Sequence, residues 1–142
     1  MYKKAIILFV ALLFLSGCTS ELEESKVSRV IDGDTIELST GEGVRLIGID
    51  TPELNEPYYS EAKNRLQELI EDKLVVLESD FEDTDKYGRL LRYVFLDEEN
   101  INIEMVEEGY AYAYVFSDIK YKEEIMAAEN YAKDLRIGIW SL

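Results

Sequence analysis

The sequence predicts a small closed β-barrel of the OB type, with five strands and three helices. Short apolar segments between glycine-containing turns predict the strands, and segments with apolar residues at helical spacing predict the helices. The order of the elements supports a barrel, because one helix follows the third strand and two helices follow the fifth. About 117 residues from Lys26 onward suffice for a single hydrophobic core, and the chain contains no internal repeat.

The strands are predicted from the runs between turn signals. Asp32-Gly33-Asp34 is a strong turn signal after the first strand, and residues 40–43 form the next turn. The third strand carries apolar residues on both faces, so it is predicted to be buried on both sides. The five predicted strands are Lys26–Ile31, Thr35–Ser39, Val44–Ile49, Leu74–Glu78 and Leu90–Leu96.

Three helices are predicted, and the first, over Tyr58–Glu71, places Ala62, Leu66, Leu69 and Ile70 on one stripe. A short helix over Ile103–Glu108 is stopped by Gly109. The last helix begins near Asp118 and ends before Gly138. Its predicted inward residues are Tyr121, Ile125, Ala128, Ala132 and Leu135.

The N-terminal residues predict an address outside the cytoplasm. Lys3-Lys4 precedes an apolar run over Ala5–Leu15, which is too short to span a bilayer and fits a signal peptide. Leu15-Ser16-Gly17-Cys18 resembles a prokaryotic lipobox, which implies a signal peptide over residues 1–17 and lipidation of Cys18. Residues 18–25 are then a short tether, and residues 26–142 are the folded domain. We therefore expect an extracytoplasmic protein anchored to the cell membrane; the alternative is an ordinary signal peptide with a cysteine near its end.

Composition excludes some chemistries. The chain has no histidine and only one cysteine, so it can form neither an internal disulfide nor a Cys/His metal site. Without residues 1–17 it carries 13 basic and 30 acidic residues, a net charge of −17. Such a charge repels nucleic acids at long range, so we interpret it as a solvated acidic surface around a locally positive site. Lys86, Arg89 and Arg92 are predicted to form the basic cluster.

Three short stretches carry the candidate chemistry. They are Asp32-Gly33-Asp34-Thr35, then Arg45 with Asp50-Thr51-Pro52-Glu53, and finally Asp85-Lys86-Tyr87-Gly88-Arg89. They offer three carboxylates for a hard cation, a fourth for a water molecule and two guanidiniums for a phosphate. That combination predicts metal-assisted hydrolysis of a phosphodiester.

The cation is predicted to be Ca²⁺. The Asp-Gly-Asp-Thr turn is shorter than an EF-hand loop, so a site must be assembled from separate segments and completed by water. Oxygen ligands without histidine or a usable cysteine favour Ca²⁺ or Mg²⁺ over Zn²⁺ or Cu²⁺. Calcium tolerates irregular geometry better, which decides between the two.

Each stretch also has an ordinary structural interpretation. Arg45 can form a structural ion pair, and Thr51-Pro52-Glu53 can be a plain loop after a strand. Asp85–Arg89 can be a turn with Gly88 at positive φ. The catalytic interpretation instead places two planar guanidiniums on the phosphate under attack, where they stabilise a five-coordinate transition state.

Taken together, these strings resemble the staphylococcal nuclease (thermonuclease) family from about Lys26 to Trp140. The matching segments also include Val30-Ile31 before the first turn, Ala113-Tyr114-Val115 and Ile139-Trp140-Ser141. The resemblance implies Ca²⁺-dependent cleavage of DNA and RNA at the 5′-oxygen side, leaving 3′-phosphate ends. It further implies Asp34, Asp50 and the Thr51 carbonyl as metal ligands with Asp32 in the outer shell, Arg45, Glu53 and Arg89 as catalytic residues, and Lys86, Tyr87 and Tyr114 as substrate contacts.

The chain departs from the family pattern in its short 54–57 connection, in Phe116 at a position expected to hold tyrosine, and in its acidic charge. These departures concern substrate affinity and leave the catalytic set intact. Two other functions stay open at this point. One is a catalytically silent OB module that binds an oligonucleotide or peptide, and the other is a structural calcium-binding lipoprotein. A monomer acting on nucleic acid, without a protein partner, is the expectation.

Overall fold

The computed structural model describes residues 22–142, and the predicted signal peptide and the lipidation site Cys18 lie outside that range. Within residues 22–142, eight strands and three α-helices follow in order, with a final 3₁₀ turn at Gly138–Ser141. The strands are β1 Leu22–Asp32, β2 Thr35–Leu38, β3 Gly43–Leu46, β4 Ile49–Asp50, β5 Leu74–Glu78, β6 Leu90–Leu96, β7 Glu99–Asn100 and β8 Tyr112–Ala113. The helices are α1 Tyr59–Ile70, α2 Ile101–Glu107 and α3 Lys122–Leu135.

Five strands close into a barrel. The strand order is β3-β2-β1-β5-β6-β7, and a parallel pairing between β3 and β6 joins the two sides. Closure leaves the barrel strands without free edges. The predicted five-stranded OB barrel with three helices is confirmed, and β4 and β8 form a separate two-stranded ribbon beside it.

The helices pack where their apolar stripes predict. Ala62, Leu66 and Ile70 of α1 are fully buried, while Leu69 is only partly so. Ile125 and Ala132 of α3 are also fully buried. The last helix differs from the prediction, because it begins at Lys122 rather than near Asp118. Its Leu135 is 54% exposed at the final turn and does not face inward as predicted.

Two of the predicted strands differ from the observed ones by more than one residue. β1 begins at Leu22, and Leu22–Ser25 pair with β5, so those four residues are not the free tether that was predicted. The predicted third strand is broken at Gly48, which has φ +79° and separates β3 from β4. A Cβ at Gly48 would lie 2.6 Å from Ile125 Cδ1, so the break is also a close packing point. The pattern of apolar residues along the predicted third strand could not reveal this break.

One buried amide holds this break in place. The Asn102 side chain of α2 is fully buried, accepts a hydrogen bond from the Val94 N–H (3.0 Å) and donates to the carbonyls of Ile47 (2.9 Å) and Arg92 (3.2 Å). It therefore joins α2 to β6 and to the segment between β3 and β4. Among residues 22–142, no helix is long and apolar enough to cross a bilayer.

Candidate active site

The Asp-Gly-Asp turn joins β1 to β2 at the mouth of the barrel. Asp32 accepts a hydrogen bond from the Asp34 N–H (3.1 Å), which fixes the turn. A Cβ at Gly33 would lie 2.9 Å from both Ala62 and Thr51, so only glycine lets the turn approach this closely. The turn is thereby pressed against the segment that follows β4.

Asp34 is buried and carries several contacts of the site. It accepts from the Thr51 N–H (3.0 Å) and hydroxyl (3.1 Å) and from the Thr35 hydroxyl (3.0 Å). Arg45 Nη2 lies 3.2 Å from Asp34 Oδ2 and 3.3 Å from Asp50 Oδ1. One guanidinium therefore bridges the carboxylate of the β1–β2 turn and the carboxylate at the end of β4.

Negative charge accumulates at this point. Burial and then the charge of Asp34 raise the pKa of Asp32 to about 6. Burial and the Asp34 charge also raise the pKa of Asp50, and Arg45 opposes the rise only in part. The set holds more negative charge than its single bridging arginine neutralises, an arrangement suited to a cation.

The fourth carboxylate stands at the rim. A tight turn follows Pro52, in which the Glu53 N–H donates to the Glu56 side chain (2.6 Å) and the Glu56 N–H donates to the Glu53 carbonyl (2.9 Å). Glu53 itself is exposed and lines the cleft. Within the described residues no donor holds its carboxylate, which leaves both oxygens open to water or substrate.

Arg89 lies across the cleft on the loop before β6. Asp85 accepts from Arg89 Nε (2.7 Å) and from the backbone N–H groups of Arg89 and Tyr87 (3.0 and 2.9 Å). Arg89 Nη1 also donates to the Thr35 hydroxyl (3.3 Å), which in turn donates to Asp34. Burial of Asp85 acts to raise its pKa, but these contacts outweigh burial and lower it.

Asp85 and Thr35 are site residues that the sequence reasoning left without a role. Thr35 closed a turn motif, and nothing in the sequence placed it beside a residue 54 positions later. For Asp85 a signal was available, since an aspartate two to four residues before a positive-φ glycine commonly accepts backbone N–H groups. The i,i+4 ion pair with Arg89 follows from that turn.

The remaining predicted contacts surround the same opening. The cleft has a volume of about 970 Å³ and includes Arg45, Asp50, Glu53 and Arg89 in its lining. Tyr87 is 72% exposed, with Lys86 Nζ 5.1 Å and Arg89 Cζ 5.4 Å from its ring centroid. The other predicted substrate contact, Tyr114, is 51% exposed on the facing wall.

Arg92 does not belong to the basic cluster predicted for it. Its buried side chain forms an ion pair with Asp83 (2.8 Å) and donates to the carbonyls of Asp83 and Leu91. Alternation along β6 explains the difference, because Arg92 does not share the cleft face that Leu91 lines. Of the predicted cluster, Lys86 and Arg89 line the cleft, beside an acidic wall over residues 80–83.

The donor set fits a hard cation in chemistry, although it is not a ready-made cage. In the described part of the chain, no three acidic, histidine or cysteine side chains converge with the geometry of a metal site. Asp34 and Asp50 instead share Arg45, and the half-exposed Asp50 carboxylate opens onto the cleft. An ion here would have carboxylates, a backbone carbonyl and water as ligands, which suits Ca²⁺ or Mg²⁺.

A five-stranded barrel whose cleft combines carboxylates with two guanidiniums fits an enzyme that hydrolyses a phosphodiester. Residues 43–142 match the family model described as "Staphylococcal nuclease homologue". The chain belongs to the staphylococcal nuclease family, and the resemblance seen in its motifs is confirmed.

Similar proteins agree on the activity. A thermonuclease of Staphylococcus hyicus is 39% identical over 137 residues, 89% of this chain and 81% of the relative. A thermonuclease of Staphylococcus intermedius is 40% identical over 128 residues, 83% and 76% of the two chains. Endonuclease YncB of Bacillus subtilis is 37% identical over 127 residues, which cover 81% of this chain and 60% of the relative. The chain is accordingly a hydrolase of the endonuclease class, and its substrate is nucleic acid.

Proposed function

We propose that this endonuclease is Ca²⁺-dependent, hydrolyses DNA and/or RNA at the 5′-oxygen side to leave 3′-phosphate ends, and acts outside the cytoplasmic membrane, anchored through a lipid on Cys18. The observation that carries the catalytic part is the sharing of Arg45 between Asp34 and Asp50, with Arg89 and Glu53 on the same cleft. Arg89 has a structural ion pair with Asp85, but structural pairing does not account for Glu53, whose carboxylate faces the same cleft without a donor among residues 22–142.

The proposed metal ligands are Asp34, Asp50 and the Thr51 carbonyl, with Asp32 in the outer shell. A bound Ca²⁺ supplies positive charge beside the phosphate and lowers the cost of the charge that builds during attack. The chain's own contribution is geometric, because Gly33 and the Thr51 hydrogen bonds hold Asp34 against the end of β4.

Arg45 and Arg89 are proposed to hold the phosphoryl oxygens from opposite sides. Arg89 is already oriented by Asp85, so its Nη groups point away from a fixed Nε contact (2.7 Å). Arg45 Nη2 contacts both aspartates and Nη1 donates to the Leu46 carbonyl, so among the described residues its Nε–H and one Nη1–H stay open to a phosphate. Two such charge-assisted contacts strengthen as negative charge develops in the transition state.

Glu53 is proposed to act on the attacking water, either by accepting its proton or by orienting it. The new bond forms between the water oxygen and phosphorus, and the bond from phosphorus to the 5′-oxygen breaks. The leaving oxygen gains a proton, and the phosphate stays on the 3′ side. The exposed carboxylate at the rim, open to water, is consistent with either role.

Cleavage of single-stranded DNA by the purified protein in Ca²⁺, Mg²⁺ or EDTA tests the proposal. Glu53→Gln and Arg89→Ala are each expected to lower kcat by several orders of magnitude, since such groups act in the transition state. Glu61→Gln on the exposed start of α1 and Arg29→Ala on the barrel surface are matched controls that remove the same charges elsewhere. A loss below tenfold in the site variants would refute the assigned roles. No cleavage by folded protein in any condition would favour the silent OB module.

The anchoring part of the proposal depends on the Leu15-Ser16-Gly17-Cys18 motif and on the start of β1. Three residues separate Cys18 from Leu22, so the connection reaches roughly 14 Å at most. That length would keep the barrel close to the membrane surface. Cys18→Ser should release activity from the membrane fraction and abolish incorporation of labelled fatty acid; persistent membrane activity would contradict the anchor.

The protein is proposed to act as a monomer, so light scattering should show a single species of monomer mass.

A further inference from the structure

The segment after α2 carries aromatic side chains along one face. Exposure alternates from Ala111 onward, because residues 112, 114 and 116 are exposed and residues 111, 113 and 115 are buried or half-buried. Exposure of every second side chain is typical of extended backbone with one face toward solvent. Tyr112, Tyr114 and Phe116 are 38%, 51% and 82% exposed on that face.

This row begins in the cleft and continues beyond it. Tyr114 lines the cleft, and its ring lies 4.4 Å from the Phe116 ring in an edge-to-face contact. Tyr112 is the register partner of Asp50 on β4, and it lies outside the cleft lining. Behind it, the half-buried Trp140 ring lies 5.4 Å from the Tyr112 ring, also edge to face.

The far end of the row carries a positive charge. Lys133 Nζ lies 4.5 Å from the centroid of the Trp140 ring. It pairs with one oxygen of Glu129 (2.7 Å), and the other Glu129 oxygen accepts from the Ala113 N–H (3.0 Å). Lys133 places an ammonium group beside the half-buried Trp140 ring, where it can contact a phosphate next to a stacked base.

We propose that Tyr112 and Trp140, with Lys133, form a nucleotide subsite outside the cleft, on which a base of single-stranded substrate stacks. Tyr114 and Phe116 connect this subsite to the scissile position. Tyr112 and Tyr114 are two residues apart, so their Cα atoms are separated by about 7 Å, roughly twice the rise of stacked bases. The subsite takes unpaired bases of any identity, so it makes the enzyme prefer single strands of several nucleotides. The proposal rests on the endonuclease function above.

Chain-length dependence of cleavage is the first test. Tyr112→Ser is compared with wild type on a single-stranded octanucleotide and on a trinucleotide, after circular dichroism has shown that the variant is folded. Stacking on an aromatic ring is worth about 1–3 kcal/mol per base, so kcat/KM on the octanucleotide should fall about tenfold, mainly through KM. The loss on the trinucleotide should be clearly smaller. Tyr131→Ser removes a phenol that is 51% exposed on α3, and this control should match wild type on both substrates.

A binding measurement separates this proposal from the catalytic one. Trp140 is the only tryptophan of the chain, so quenching of its fluorescence by the octanucleotide reports stacking without any cleavage. We expect quenching with the single strand, weaker quenching in Tyr112→Ser and almost none with a duplex. Equal losses for Tyr112→Ser and Tyr131→Ser, or no quenching, would overturn the subsite while leaving the nuclease intact. If wild type cleaves nothing, the proposed function fails and quenching alone decides the subsite.

Discussion

Replacing Asn102 with alanine is expected to destabilise the barrel by about 3 kcal/mol, because a buried backbone donor and a partly buried backbone acceptor lose their partners, at about 2 and about 1 kcal/mol. The Val94 N–H and the Ile47 carbonyl are those groups. The Arg92 carbonyl keeps a second donor, the Ile47 N–H at 3.0 Å, so it adds little. For a domain of this size, the melting temperature should fall by roughly 15 °C.

Urea unfolding followed by circular dichroism measures this free energy directly, with Asn64→Ala as the matched control. Asn64 lies exposed on α1, where alanine is the better helix former by roughly 0.5 kcal/mol, so the control should be neutral or slightly stabilised. A loss below about 1 kcal/mol in Asn102→Ala would refute the reasoning, since it would mean that water or relaxed backbone satisfies both groups.

Three further predictions concern other parts of the molecule. Asp85→Asn should lower kcat about tenfold to a hundredfold, because it removes the ion pair that orients Arg89, while the free energy of unfolding changes little. Recovery of kcat in moderate salt would argue against a role of Asp85 in orienting Arg89. Gly48→Ala should destabilise by about 2 kcal/mol or more, since φ is positive and Ile125 Cδ1 lies 2.6 Å from the new Cβ; a thermal scan measures it. Burial acts to raise the pKa of Asp80, but hydrogen bonds from Lys120, Tyr93 and Phe81 outweigh it, and the pKa is lowered. The stability that Asp80 contributes is therefore complete above its ordinary pKa of 3.8 and is lost as the pH falls through the lowered pKa. The unfolding free energy of Asp80→Asn should therefore fall less than that of wild type between neutral and acid pH.

The barrel could be predicted from sequence because its determinants are local. Turn residues and apolar runs identified β5 and β6 with the bounds that the structure shows, and the spacing of Ala62, Leu66 and Ile70 identified α1. The break at Gly48 could not be predicted in this way, because glycine inside an apolar run is compatible with a continuous strand. Its packing against α3 involves residues more than 70 positions away.

The site was predictable to the extent that chemistry appears as a motif. The stretches with Asp34, Arg45 and Glu53 were recognisable as a set of carboxylates and guanidiniums. The contacts that orient them were not, because Thr35 meets Arg89 only through the parallel pairing of β3 with β6, which is a property of barrel closure. The contact between the exposed Tyr112 ring and the half-buried Trp140 ring likewise could be seen only in the fold.

The β4–β8 ribbon has a consequence for selectivity between ions. The position of Asp34 is fixed by the barrel backbone, whereas Asp50 lies on the β4–β8 ribbon. In the described residues this ribbon shares no ladder with the barrel sheet. The spacing of these two oxygen donors is therefore set by the contacts that position the ribbon, which are the Thr51 hydrogen bonds to Asp34 and the packing of Ile125 of α3 beside Gly48. For the calcium chemistry proposed above, the preferred ionic radius becomes in part a property of helix packing. A methyl group added or removed on α3 would retune it, although every ligand stays unchanged.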